Sequence, residues 1–90
     1  MIDSSNRHLL GRVSKIIMAN YDIELSRDEQ RNSELCKYVL KMTDRQGNEF
    51  REFTYSNRQP HFALEEMCTS FVTSNHRKLP PSVAMAVAVL

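Results

Sequence analysis

Three histidines, His8, His61 and His76, and two cysteines, Cys36 and Cys68, are the side chains here that could serve as nucleophile, general base or soft metal ligand near neutral pH. A catalytic pair needs a nucleophile beside a base that a third group orients. His61 and Cys68 come nearest to this, at most two turns apart on one predicted helix, with no third group to orient them. Zinc sites use closely spaced Cys or His pairs, which this spacing does not provide. Gly11 and Gly47 are the only glycines, so no phosphate-cradling loop is present. These residues point to a protein that is not an enzyme and that takes no metal and no cofactor.

Two other groups of residues are suited to binding. Arg7, Arg12 and Lys15 share the polar side of an N-terminal helical pattern, and Arg77 and Lys78 form a second basic pair. Such cations contact phosphates or an acidic protein surface. The segment Ser82 to Leu90 has no charge at all, and its Val83, Met85, Val87, Val89 and Leu90 are candidates for contact with a partner or a second copy. An apolar run of that kind is buried in the fold or covered by something else.

The elements that carry these residues are legible from periodicity. From Asn6 to Asn20, Leu9, Leu10, Val13, Ile16 and Ile17 recur at helical spacing, with Ser4, Ser5 or Asn6 available as cap. Arg7, His8, Gly11, Arg12 and Lys15 lie opposite, and Gly11 costs the helix about 1 kcal/mol relative to Ala. Tyr21 to Leu25 alternates as a strand, and Ser26 to Ser33 reads as a polar loop. A second strand runs from about Leu35 to Met42, with Cys36, Tyr38, Leu40 and Met42 on one side. A third runs from about Glu49 to Tyr55.

Asp44-Arg45-Gln46-Gly47-Asn48 between them is a hairpin signal, since Asp opens a turn and Gly accepts the left-handed conformation. A three-residue loop pairs Met42 with Phe50, and a four-residue loop sets Tyr38 opposite Phe53. Phe50, Phe53 and Tyr55 differ in parity, which suggests a bulge in the third strand. Leu64, Met67, Cys68 and Phe71 then mark a second helix that ends near Ser74, with Glu65 and Glu66 near its favourable N-terminal end. After Leu79-Pro80-Pro81 the last segment fits a short helix or a strand. The expected fold is α+β in a single domain, residues 1–90: helix, three-stranded antiparallel sheet, helix and a short apolar C-terminal segment.

Composition agrees with a folded domain, at 41% hydrophobic and 26% charged residues with two Gly and three Pro. A formal charge of +1 argues against nucleic-acid binding by bulk electrostatics alone. The N-terminus lacks a charged lead followed by an apolar core, and no apolar run approaches the roughly twenty residues of a membrane span, so a cytoplasmic protein without membrane contact is expected. Two cysteines far apart in sequence are expected to be reduced thiols.

In element order and length the chain resembles the double-stranded RNA-binding domain. Where that family begins its final helix with lysines, this chain reads His61-Phe62-Ala63-Leu64-Glu65-Glu66, so the resemblance would leave nucleic-acid contact to the basic face of the first helix. The chain is also similar to small phage-encoded anti-CRISPR proteins in size, in element order and in a hairpin of the form Gly47-Asn48-Glu49-Phe50. That resemblance implies inhibition of a host defence complex by protein contact. A binding protein with a protein partner, and nucleic acid as the alternative, is the functional expectation.

Overall fold

In the computed structural model the backbone is described for residues 4–29 and 34–90. The elements follow the order α1 (Ser4–Asn20), β1 (Asp22–Glu29), β2 (Cys36–Thr43), β3 (Glu49–Ser56), α2 (Pro60–Ser74), a 3-10 turn (His76–Lys78) and α3 (Pro81–Ala88). The strands form one antiparallel sheet in the order β1-β2-β3. This is the expected α+β arrangement, with the C-terminal segment resolved as a helix.

The β2-β3 turn decides which side chains face the core. Asp44 Oδ1 accepts the backbone N–H of Gln46 at 2.9 Å and of Asn48 at 2.8 Å, and Oδ2 accepts Asn48 Nδ2 at 3.0 Å. The Gly47 N–H reaches the Asp44 carbonyl at 3.1 Å with Gly47 at φ 87°, a conformation open to glycine at little cost. The result is the three-residue loop, with Met42 opposite Phe50. Pairing then continues in step from Thr43↔Glu49 to Cys36↔Ser56. The expected bulge in β3 is therefore absent: Phe50 faces the helices, and Phe53 and Tyr55 face the opposite way.

β1 is longer than its periodicity indicated. Ser26 to Glu29, expected as loop, continues the strand opposite Val39 to Cys36. Polar residues on both faces hid it. Arg27 lies on the inner side, its guanidinium 5.7 Å from the centre of the Tyr38 ring and 3.2 Å from Cys36 Sγ.

The core lies between the inner sheet face and the helices, formed by Ile17, Tyr38, Leu40, Met42, Met67, Cys68, Phe71 and Val83 among others. Tyr21, Phe50 and Phe71 meet edge to face, with centroids 5.2 to 6.3 Å apart, and so join the end of α1 to β3 and α2. Buried Tyr38 donates its hydroxyl hydrogen to the Arg58 carbonyl at 2.8 Å, which satisfies the only polar atom of its side chain. The molecule measures 43 × 35 × 18 Å. A thickness of 18 Å accommodates a sheet and one layer of helices about 10 Å away, and no second helix layer.

Gly11 corrects the expected polar face of α1. It turns toward α2, where a Cβ would lie 3.7 Å from Glu65 Oε1, and neighbouring Ser14 is buried with its hydroxyl bonded to the Gly11 carbonyl at 2.9 Å. Glu65 and Glu66 fall beyond the first turn of α2, where the helix dipole acts weakly. Glu66 pairs instead with Arg58 at 2.8 Å.

Candidate functional site

Because the helices cover one face of the sheet, the other is left without a described element over it. Its rows run Asp22, Glu24, Ser26, Asp28 on β1; Thr43, Lys41, Val39, Lys37 on β2; and Glu49, Arg51, Phe53, Tyr55 on β3. Every one of these side chains is exposed or half-buried. In a two-layer fold this is the face expected to be polar, and its two large rings stand out.

Phe53 is 65% exposed and Tyr55 49% exposed, with centroids 6.4 Å apart at an interplanar angle of 86°. Lys37, across the ladder from Tyr55, holds its Nζ 5.4 Å from the Phe53 centroid and 6.0 Å from that of Tyr55. The cation lies within reach of both rings, a contact of about 0.5–1 kcal/mol at an exposed site. Lys41 and Arg51 extend the basic row, with Arg51 bridged to Glu49 at 2.9 Å. The β1 row beside it carries Asp22, Glu24 and Asp28. The face carries both signs: acidic along β1, basic at Lys37 and Lys41 in the middle, and on β3 the Glu49–Arg51 ion pair followed by the two rings.

The residues singled out from the sequence are placed as follows. Arg12 and Lys15 are exposed on α1, and Arg77 and Lys78 are exposed on the 3-10 turn, so the two basic groups belong to separate elements. The Arg7 side chain lies outside the described residues. On α3, Val83 is fully buried in the core and offers a partner no surface; Val87 packs partly against the core. Met85 at 72% exposure, Val89 at 83% and Leu90 at 40% remain outside. The uncharged helix is thus split between an inner side, with Leu79 buried just before it, and an exposed tip.

The His61–Cys68 pair does not assemble. His61 is exposed, its ring 4.1 Å from that of Phe62, whereas Cys68 is buried about 10 Å further along the helix axis. Burial, with a further contribution from Glu65, pushes the Cys68 thiol up to about 12, which makes it a poor nucleophile at neutral pH. Cys36 and Cys68 are both free thiols. Among the described residues no group of three or more His, Cys, Asp or Glu side chains is placed to hold a metal ion, and no helix is long and apolar enough to cross a membrane.

Two surface notches are small. One of about 210 Å³ lies at the free edge of β3, between Glu52, Phe53, Thr54 and Glu66, Met67, Ser70 of α2. The other, about 150 Å³, lies between the end of α1 and the hairpin. Both fall below the roughly 300 Å³ at which small-molecule sites begin. Desolvation raises the carboxyl of Glu52, at the first notch, above its ordinary value. Burial raises the Tyr21 phenol at the second, with a further push from the Asp44 charge.

No known protein family, curated protein or solved structure matches the chain. The candidate site therefore rests on its own geometry. Sequence reasoning missed Phe53 and Tyr55 as site residues, although their parity against Phe50 carried the signal. Three aromatics on an unbulged strand cannot all face the same core.

Proposed function

We propose that the protein is a non-enzymatic binding protein that acts by contact with another protein through the open face of its sheet. The observation that carries this reading is the exposed Phe53–Tyr55 pair on the open face, with Lys37 beside it. Phe and Tyr are enriched in the buried core of protein interfaces, whereas lysine is depleted there, so the two rings rather than Lys37 carry the argument. The charge pattern favours a protein over a nucleic acid. Strands lie about 4.8 Å apart, so a phosphate chain tracking Lys37 and Lys41 would run beside Asp28 and Glu24. A protein surface bearing both signs meets both rows with complementary charge.

The similarity to phage-encoded anti-CRISPR proteins, in element order and in the Gly47-Asn48-Glu49-Phe50 hairpin, supports a narrower form of the proposal: the partner is a host defence complex and binding inhibits it. A purified CRISPR effector nuclease, assayed for target cleavage with and without the protein, tests that form. Phe53→Asp with Tyr55→Ser should abolish the inhibition and leave the far-UV spectrum unchanged. The broader reading is tested by fluorescence anisotropy with labelled double-stranded RNA, double-stranded DNA and single-stranded DNA. Salt-sensitive binding that Arg12→Glu with Lys15→Glu removes, and that the Phe53 and Tyr55 changes leave intact, would replace the protein-contact reading by nucleic-acid binding through α1.

A further inference from the structure

We propose that two copies of the chain join through the free edge of β3, as an antiparallel pair centred on Phe53, to make one continuous six-stranded sheet. The two edges of the sheet differ. β1 carries Asp22, Glu24 and Asp28 along its outer face, and charged edges discourage further pairing. β3 has neither bulge nor proline, and it is uncharged from Phe53 to Ser56.

The hairpin fixes which backbone groups are available. Asp44 N–H bonds to the Asn48 carbonyl at 2.9 Å, and hydrogen-bonded pairs recur at every second position of an antiparallel ladder. Phe50, Glu52 and Thr54 therefore direct their N–H and C=O toward β2. Arg51, Phe53 and Tyr55 direct theirs away from it, toward an incoming strand.

Like charges then select the register. A two-fold axis through Arg51 would oppose two guanidinium groups, and one through Glu52 would oppose two carboxylates, both destabilising as direct cross-strand neighbours. An axis through Thr54 pairs only Glu52 to Ser56. An axis through Phe53 pairs Phe50 to Ser56 and sets complementary groups together. Phe53 meets Phe53 of the second copy, and the Arg51 guanidinium lies beside the Tyr55 ring. On the inner side Glu52 lies opposite Thr54, whose hydroxyl can donate to the carboxylate. The notch of about 210 Å³ between β3 and α2 leaves room for side chains around Glu52 and Thr54 at this edge. Self-complementarity of this one strand is what commits the edge to a second copy rather than to a foreign peptide.

The proposal does not depend on the protein-partner reading, because dimerisation is measured on the isolated chain. If both hold, the aromatic pairs of the two copies form a single strip across the dimer face. The experiment uses Phe53→Cys in a Cys36→Ser background, oxidised under native conditions, with Asp28→Cys in the same background as control. Opposed residues of a hydrogen-bonded pair lie about 5.5 Å apart at Cα, within disulfide range. Phe53 is mostly exposed, so the fold should survive, and circular dichroism checks this. The expected result is a concentration-dependent dimer by sedimentation, with covalent dimer forming at least ten-fold faster through position 53 than through position 28. A chain that stays monomeric at all concentrations overturns the proposal. So does a dimer that forms without cross-linking at 53 and is dissociated by Met85→Lys on α3.

Discussion

Replacing Gly11 by Ala should stabilise the protein, although Gly11 sits where two helices meet. Glycine in a helix interior costs about 0.8–1 kcal/mol relative to alanine because the unfolded chain loses more freedom. A glycine at a helix contact is often required by close backbone approach, and the distances here show that it is not. The added Cβ would meet Glu65 Oε1 at 3.7 Å, ordinary van der Waals contact with the end of a flexible side chain. The new contact adds about 0.1–0.2 kcal/mol, partly offset by crowding the carboxylate. The net expectation is a gain of about 0.5–1 kcal/mol. For a domain of 90 residues this raises Tm by roughly 3–6 °C, readable by thermal denaturation followed in the far ultraviolet. A fall in Tm would refute the reasoning, since it would mean that α1 and α2 approach more closely than this geometry has them.

Tyr38→Phe should cost about 0.5–1.5 kcal/mol in urea denaturation, because it leaves the Arg58 carbonyl without its donor; an unchanged midpoint would mean that water replaces the hydroxyl. A thiol reagent that requires the thiolate should label half-buried Cys36 in the native chain and reach Cys68 only after denaturation, and equal native rates would contradict the burial of Cys68. Burial raises the Glu52 carboxyl above its ordinary 4.5, so the folded chain takes up a proton as it forms in the window above that value, and stability falls as pH rises through it. Glu52→Gln should remove that slope and raise stability at neutral pH; a slope that persists places its origin elsewhere.

Strong local signals made most of the fold legible. The 3-4 spacing that puts Val13, Ile16 and Ile17 on one helix face, the alternation in β2 and the Asp44–Asn48 turn are each set by neighbours in sequence, and each appears in the structure, although Leu9 at the start of that spacing is exposed. The hairpin register was legible as one of two options, and the bonds accepted by Asp44 select between them. What escaped was set by distant contacts. Ser26 to Glu29 is strand because β2 offers it a ladder, not because its side chains alternate. The Val and Ala alternation of the last segment fits a strand, yet Val83 and Val87, four apart, turn one side of a helix inward. The candidate site escaped for a different reason: the parity of Phe53 and Tyr55 against Phe50 is visible in the sequence, but a bulge and an outward-facing aromatic pair account for it equally well, and the unbroken pairing of β3 selects the second.

Register gives the Asp44–Asn48 turn an influence beyond its own few residues. Side chains alternate across a strand, so one residue added or lost in this turn would exchange the two faces of β3 relative to β2. Phe53 and Tyr55 would turn toward the helices, and Glu52 and Phe50 would turn to solvent. Substitutions at the surface change the aromatic pair one residue at a time, but an insertion or deletion in the loop would remove the face proposed for binding in a single step while leaving every one of its residues in place. If the face binds as proposed, loop length in this hairpin matters to binding as much as the residues of the face itself. Among related chains, fixed spacing between Met42 and Phe50 should be a better marker of retained binding than identity at Phe53 or Tyr55.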